Sequence, residues 1–348
     1  MQKIRFIPLL PLAILFLLLN ACSTSTKQFN KLSPKQTGVD FTNTITESDS
    51  LNILVTEFVY NGGGVAAGDL NNDGLVDLVF TGNQVENEIY LNKGDLKFEK
   101  ISERAGFRKQ DLKQWSSGIN LVDINLDGLL DIYICNTLRE DDNLRRNLLF
   151  INQGSDAAGY PKFIEQAAAY GLADPSHASH AQFFDYDNDG DLDVFVGVNL
   201  IEERYPTNFK EVRNDGTDPN RDNLFQNNWD TDLGHPVFTD VSLEAGILND
   251  GYSHSTLILD FNEDGWQDIY VANDYQSDDL IFINNQDGTF SNQAGEIFKH
   301  FSLSAMGSDV GDVNNDGLAD IFTTEMQPYY NKRKKLFQGG SNYKHTLL

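Results

Sequence analysis

Five nine-residue stretches carry the residue types and spacing of an oxygen-ligand cation site. They are DLNNDGLVD from Asp69, DINLDGLLD from Asp123, DYDNDGDLD from Asp185, DFNEDGWQD from Asp260 and DVNNDGLAD from Asp312. Each has an acid or amide at positions 1, 3, 5 and 9 and a glycine at position 6. A hard divalent cation takes roughly six to eight oxygens, and such a loop can supply four side chains and the carbonyl at position 7. The candidate ligands are Asp69, Asn71, Asp73 and Asp77; Asp123, Asn125, Asp127 and Asp131; Asp185, Asp187, Asp189 and Asp193; Asp260, Asn262, Asp264 and Asp268; and Asp312, Asn314, Asp316 and Asp320. Position 12 holds Phe80, Ile134, Val196, Val271 and Thr323 instead of the Glu of an EF-hand, so the ion is expected in a turn between strands. An all-oxygen set disfavours zinc, and a full protein cage disfavours magnesium. The expectation is up to five Ca2+. Crowded carboxylates repel one another unless a cation offsets them. Loop three, with four ligand Asp, is expected to bind most tightly.

The loops start 54, 62, 75 and 52 residues apart, and the segments around them repeat too. EIYLN from Glu88, LLFIN from Leu148, NLFQN from Asn223 and LIFIN from Leu280 form one series. Phe98, Phe163 and Phe238 each precede a glycine (Gly106, Gly171, Gly246) by eight residues. These segments are short, rich in Val, Ile, Phe and Tyr, and bounded by Gly, Asn and Asp, which is strand and turn chemistry. Four strands per repeat predict an all-β chain, a β-propeller of four-stranded blades over residues 37–348. The blades are expected at about 51–106, 107–171, 172–246, 247–300 and, incomplete, 301–348. The run after each loop is nearly all apolar (Ile132-Tyr133-Ile134, Val194-Phe195-Val196), as in a strand covered on both faces. No stretch has sustained helical periodicity.

Other chemistry is sparse. His177, His180 and His254 precede loops three and four, but no helix aligns His177 with His180 for a transition metal. Three residues before the loops stand Ala66, Asn120, Gln182, Leu257 and Asp309, expected to be hydrated channel lining. No GxSxG, Gly-rich phosphate loop or Cys/His pairing occurs, so no catalytic residue is assigned and an enzyme is not expected. Residues 200–222 form a polar insertion in blade three. Cys135, within Ile132–Cys135, reads as a small buried hydrophobe.

With 26 Lys+Arg against 52 Asp+Glu, the formal net charge is −26, which argues against nucleic acid as a partner. Residues 1–21 read as a signal peptide: Lys3 and Arg5, then an apolar run from Phe6 to Leu19. Leu19-Asn20-Ala21-Cys22 resembles a bacterial lipobox, with Cys22 lipidated and residues 22–36 a flexible tether. The expectation is an exported protein, lipid-anchored at the outer membrane or cell surface of a Gram-negative bacterium, touching membrane only through that anchor.

The repeats resemble the FG-GAP/VCBS β-propeller family, which is integrin-alpha N-terminal-like. The stretches from Asn273, Ala305, Gly38 and Tyr60 resemble its bacterial lipoprotein branch, related to ASPIC/UnbV and cartilage acidic proteins. The resemblance implies that the D-x-[DN]-x-[DN]-G-x-x-D loops are calcium sites. It also implies a non-catalytic adhesion or binding propeller, presenting a face to a protein or polysaccharide ligand. The family propeller usually has seven blades, whereas five repeats are seen here, so a partial propeller or truncated fragment of a larger VCBS-repeat protein is one alternative. A glycan-binding or glycan-degrading module is the other.

Overall fold

The computed structural model describes residues 29–56, 58–108, 111–200, 213–274, 277–302 and 304–326. The signal segment with Cys22, residues 201–212 of the blade-three insertion and the tail after residue 326 lie outside the described residues.

The short β-branched and aromatic runs pair as antiparallel sheets, one per repeat. Blade one is β1 (Val65–Gly68), β2 (Asp77–Phe80), β3 (Glu88–Asn92) and β4 (Phe98–Lys100), bonded in that order. Blade two is β5 (Trp115–Val122), β6 (Asp131–Thr137), β7 (Leu148–Ser155) and β8 (Pro161–Glu165). Blade three is β9 (Ala178–Phe184), β10 (Asp193–Val198), β11 (Asn223–Gln226) and β14 (Thr239–Asp240). A small hairpin, β12 (Trp229–Asp230) with β13 (His235–Pro236), is inserted between its last two strands. Blade four is β15 (Ser253–Leu259), β16 (Asp268–Asn273), β17 (Leu280–Asn284) and β18 (Phe290–Asn292). The fifth repeat supplies β19 (Ala305–Gly311) and β20 (Asp320–Glu325). Among the described residues helix is confined to single turns, such as Ser102–Ala105.

The architecture is all-β and propeller-like. The first strands β1, β5, β9, β15 and β19 neighbour one another in that order, so the blades fan round a common inner edge. The apolar core lies between blades. Val79, Ile89 and Leu91 of blade one meet Ile132, Ile134 and Phe150 of blade two. Tyr133, Cys135 and Leu149 of blade two meet Val194, Val196 and Phe225 of blade three. Phe184, Phe195 and Leu224 of blade three meet Ile269, Val271 and Phe282 of blade four. Every residue of β6, β10 and β16 is buried, as two-sided packing requires. β2 alternates between buried and half-buried, and β20 is largely exposed, because they stand in the flanking blades of the described fan.

The Phe-to-Gly spacing has a structural cause. Gly106, Gly171 and Gly246 have φ of 77°, 75° and 81°. A Cβ on each would lie 2.9, 2.4 and 2.7 Å from the carbonyl oxygen of Phe163, Phe238 and Phe290 respectively, in the following blade. Only glycine allows both the left-handed turn and that approach. Gly38 makes the same contact with the Phe98 carbonyl, at 2.3 Å, so residues 34–38 act towards blade one as a preceding blade would.

Candidate calcium loops and the axial cavity

Each Asp loop closes the hairpin between the first and second strands of its blade. Position 9 pairs with the residue just before position 1: Gly68 with Asp77, Val122 with Asp131, Phe184 with Asp193, Leu259 with Asp268 and Gly311 with Asp320. Within the loop the backbone curls round the first Asp. Its two carboxylate oxygens accept from the N–H groups of positions 5 and 6 at 2.7–3.1 Å in all five loops. The position-5 carboxylate accepts from the position-7 N–H at 2.9–3.0 Å. The curl needs left-handed backbone twice. Glycine supplies it at position 6, whereas position 4 uses Asn72, Leu126, Asn188, Glu263 and Asn315, with φ from 56° to 60°.

Position 9 has a role that the spacing alone does not reveal. Asp77, Asp131, Asp193 and Asp268 are at most 1% exposed. One oxygen of each accepts from the N–H of position 2, at 2.9–3.2 Å. The other accepts from the N–H of Asn92, Asn152, Asn227 or Asn284, at 2.7–2.8 Å. That Asn is the one ending the EIYLN-type segment, so the carboxylate clamps the loop to the third strand. The Asn side chain completes the clamp by donating to the carbonyl of position 8. Asn152 and Asn284 also donate to Leu70 and Tyr186 carbonyls in the preceding blade, at 2.9 and 2.7 Å.

Burial pushes Asp77 up to about 6, Asp131 to about 7 and Asp193 to about 8; the N–H bonds oppose this and the neighbouring carboxylates add to it. Burial raises Asp268 as well. A bound divalent cation would favour the ionised form of such groups.

Position 3 carries the test of fit. Asn71, Asn125, Asn262 and Asn314 each donate to the position-5 carboxylate at 2.9–3.0 Å, and the oxygens of Asn125, Asn262 and Asn314 accept from the position-5 N–H at 2.8–3.2 Å. The Asn71 Oδ1 and Asp187 Oδ1 atoms are buried without a hydrogen-bond partner. In loop three, Asp185, Asp187 and Asp193 bring carboxylate oxygens within 4.8 Å of one another. In loops one and three, oxygens lacking donors fit a hard cation. Asp191, at position 7 of loop three, joins this group. Burial and then Asp189 push it up to about 6, and its Oδ1 is buried without a partner. Sequence reasoning took position 7 as a carbonyl only, because Leu75, Leu129, Trp266 and Leu318 occupy it elsewhere.

The histidines do not form a metal site together. His180 engages Ser179 Oγ at 2.8 Å and Thr256 Oγ1 at 2.7 Å through its two ring nitrogens. Burial lowers it to about 4 and His177 also to about 4. His254 lies 3.6 Å from the Asp274 carboxylate, 3.3 Å from Asn199 Nδ2 and edge-on to Phe58. Cys135 is a buried free thiol whose burial pushes its pKa well up, so it is no nucleophile at neutral pH.

At the inner edge of the fan is a cavity of about 320 Å3. The residues six places before the loops, Gly63, Ser117, Ser179, His254 and Met306, all line it, with Phe58, Trp115 and Asn199. The residues three places before the loops are not part of this lining, so the ring that faces the cavity stands three residues earlier along each repeat than the sequence suggested. The same alignment, moved three residues, would have found it. Ser117 Oγ and Ser179 Oγ each donate to a carbonyl of the next blade, Ala178 and Ser253, at 2.9 Å.

Comparison with known proteins agrees with this arrangement. The FG-GAP-like repeat matches residues 69–134 and 260–323, which are the first two and last two loops with their strands. Cartilage acidic protein 1 of Xenopus tropicalis is 27% identical over 217 residues, 61% of this chain and 29% of that protein. The chain therefore spans less than a third of that relative's length. A solved lectin from Agrocybe aegerita that recognises non-reducing terminal N-acetylglucosamine aligns over 74% of this chain and 73% of its own. It does so with 16% identity and a TM-score of 0.31, a likeness too slight to carry any of its properties across. The chain thus carries FG-GAP-like repeats in these two stretches.

Proposed function

We infer that this chain is a calcium-stabilised, propeller-like binding module, displayed from the cell envelope through a lipidated Cys22 and without catalysis of its own. The observation that carries the calcium reading is the repeated loop frame. Backbone N–H groups orient the acids at positions 1, 5 and 9 identically in blades one to four, while the position-3 oxygens of Asn71 and Asp187 are left buried and unpartnered. Calcium would serve the fold first. Extracellular calcium modules bind at about 0.1–1 mM, and at ten times Kd one site adds about 1.4 kcal/mol to folding. Five such sites would rival the net stability of an ordinary domain.

The rigid fan would then present its axial face to a protein or polysaccharide partner. Phe58 offers aromatic surface there, and Ser117 and Ser179 offer polar groups. A thermal melt of the chain in calcium and in excess chelator tests the reading. A cooperative transition that moves up by many degrees in calcium supports it. A cooperative transition indifferent to calcium returns the loops to plain turns. Saturable binding of an oligosaccharide would favour the glycan-binding form of the reading, and release of new reducing ends would overturn the non-catalytic assignment.

A further inference from the structure

Outside the Asp loops, the junction of blades three and four buries a second group of oxygens with nothing to pair with. Ser253, the first residue of β15, is its centre. Asp222 is 1% exposed; its Oδ1 accepts from Ser253 Oγ and from the Val198 N–H, both at 2.8 Å, while its Oδ2 has no partner. Asn273, paired across the strands with Ser253, is 0% exposed. Its amide nitrogen donates to the Asp278 carbonyl at 3.0 Å, which leaves Oδ1 unpartnered. Asn199 is 4% exposed; its amide nitrogen donates to the Ser253 carbonyl at 3.3 Å, and its Oδ1 is likewise unpartnered.

The orientation of these groups is fixed. Turning either amide over would set an oxygen against a carbonyl. The orphaned donors beside them in the chain are the amide of Asn220, whose Oδ1 is held by the Leu200 N–H, and Nη1 of Arg221. Three acceptors therefore stand against two donors. No ion pair to Asp222 forms among the described residues. The guanidinium of the adjacent Arg221 turns to Asn223 Oδ1 at 3.0 Å and Asp240 Oδ2 at 3.5 Å. A buried carboxylate and two orphaned amide oxygens, all on residues that engage Ser253, with no ion pair to the carboxylate among the described residues, make a setting that a cation would stabilise.

We propose that Asp222, Asn199 and Asn273 form a further calcium site, separate from the five loops and set into the blade three–blade four junction. Carboxylate and amide oxygens are the donor set of calcium, not of zinc or copper. Asn199 lines the axial cavity, which gives an ion its way in and supplies solvent for the remaining coordination positions. The ion would tie the segment before β11 to β15 and β16, and so hold the wall of the cavity in place. This site does not depend on the loops binding calcium.

Native mass spectrometry of the whole chain, titrated with calcium chloride, tests it. Asp222→Asn keeps the hydrogen-bonding oxygen and the shape while removing the charge. The expected result is one calcium fewer per chain than wild type at saturation, whatever number the loops hold. An equal count overturns the proposal and identifies Asp222 as a buried acid that needs no ion. Wild type without any calcium overturns both this proposal and the loop reading. Should Asp222→Asn fail to fold, Asn199→Ala serves. It keeps the carboxylate, and it should lose one ion at calcium concentrations where wild type retains it. An unchanged count across the titration overturns the proposal.

Discussion

Replacing Gly171 by alanine tests how the blades are joined. Two costs arise. At φ of 75° an L side chain is strained, by about 1–2 kcal/mol. The added Cβ would also lie 2.4 Å from the Phe238 oxygen, so the contact must open by at least about 0.6 Å to reach the 3.0 Å below which real Cβ contacts essentially never fall. Phe238 cannot retreat freely, because its N–H donates to the Tyr170 carbonyl at 2.8 Å; weakening that bond adds about 1 kcal/mol. Gly171→Ala should therefore cost about 2–3 kcal/mol. Gly159→Ala is the control. Gly159 has φ of 80° but no atom within 4 Å of its would-be Cβ, so only the backbone strain of about 1–2 kcal/mol applies. Equilibrium urea unfolding of both variants with unchanged slope gives the two numbers. Equal losses would show that the Gly–Phe contact is not a tight blade-to-blade joint and would refute the argument.

Three further outcomes follow from the same geometry. Leu126, 70% exposed and held at φ of 59°, should be replaceable by asparagine with a gain of about 0.5–1 kcal/mol in urea unfolding; a loss would mean that its side chain has a use on the surface. Asn152→Ala, which frees the Leu70 and Leu130 carbonyls in two blades, should cost about 2–3 kcal/mol, against about 1 for Asn92→Ala, whose amide reaches only the Val76 carbonyl; equal costs would remove Asn152 as an inter-blade tie. His180, lowered to about 4 by burial, is neutral when folded, so the unfolded chain binds the extra proton first. Its contribution is therefore present above about pH 6.5 and lost as pH falls towards 4, up to about 3 kcal/mol. Its ring resonances should not titrate above pH 5, and a midpoint near 6.5 would contradict the buried setting.

The repeat, the strand order and the loop frame were legible in the sequence because each is local. Hydrophobic runs, the D-x-[DN]-x-[DN]-G pattern and the Phe-to-Gly spacing all act within one blade or on its immediate neighbour. Groups assembled across blades were not legible. Asp222 stands in a polar insertion that reads as a spacer, and Asn199 and Asn273 stand at strand ends where an amide is ordinary turn chemistry. Only the pairing of β15 with β16, and of β10 with β11, brings them to Ser253. The clamp role of the position-9 Asp was hidden for the same reason, since its second bond comes from an Asn 15 to 34 residues later in the chain. The lining of the axial cavity was missed by one register choice. Periodicity shows which strands lie innermost, but not how deep along each strand the cavity sits.

The most direct test of the central claim is a crystal structure of the chain grown in calcium, with anomalous data collected to locate the ions. The account predicts one peak inside each Asp loop, about 2.3–2.6 Å from the oxygens of positions 1, 3 and 5, with the strongest in loop three beside Asp185, Asp187 and Asp189. Well-ordered loops without such peaks at millimolar calcium would contradict it.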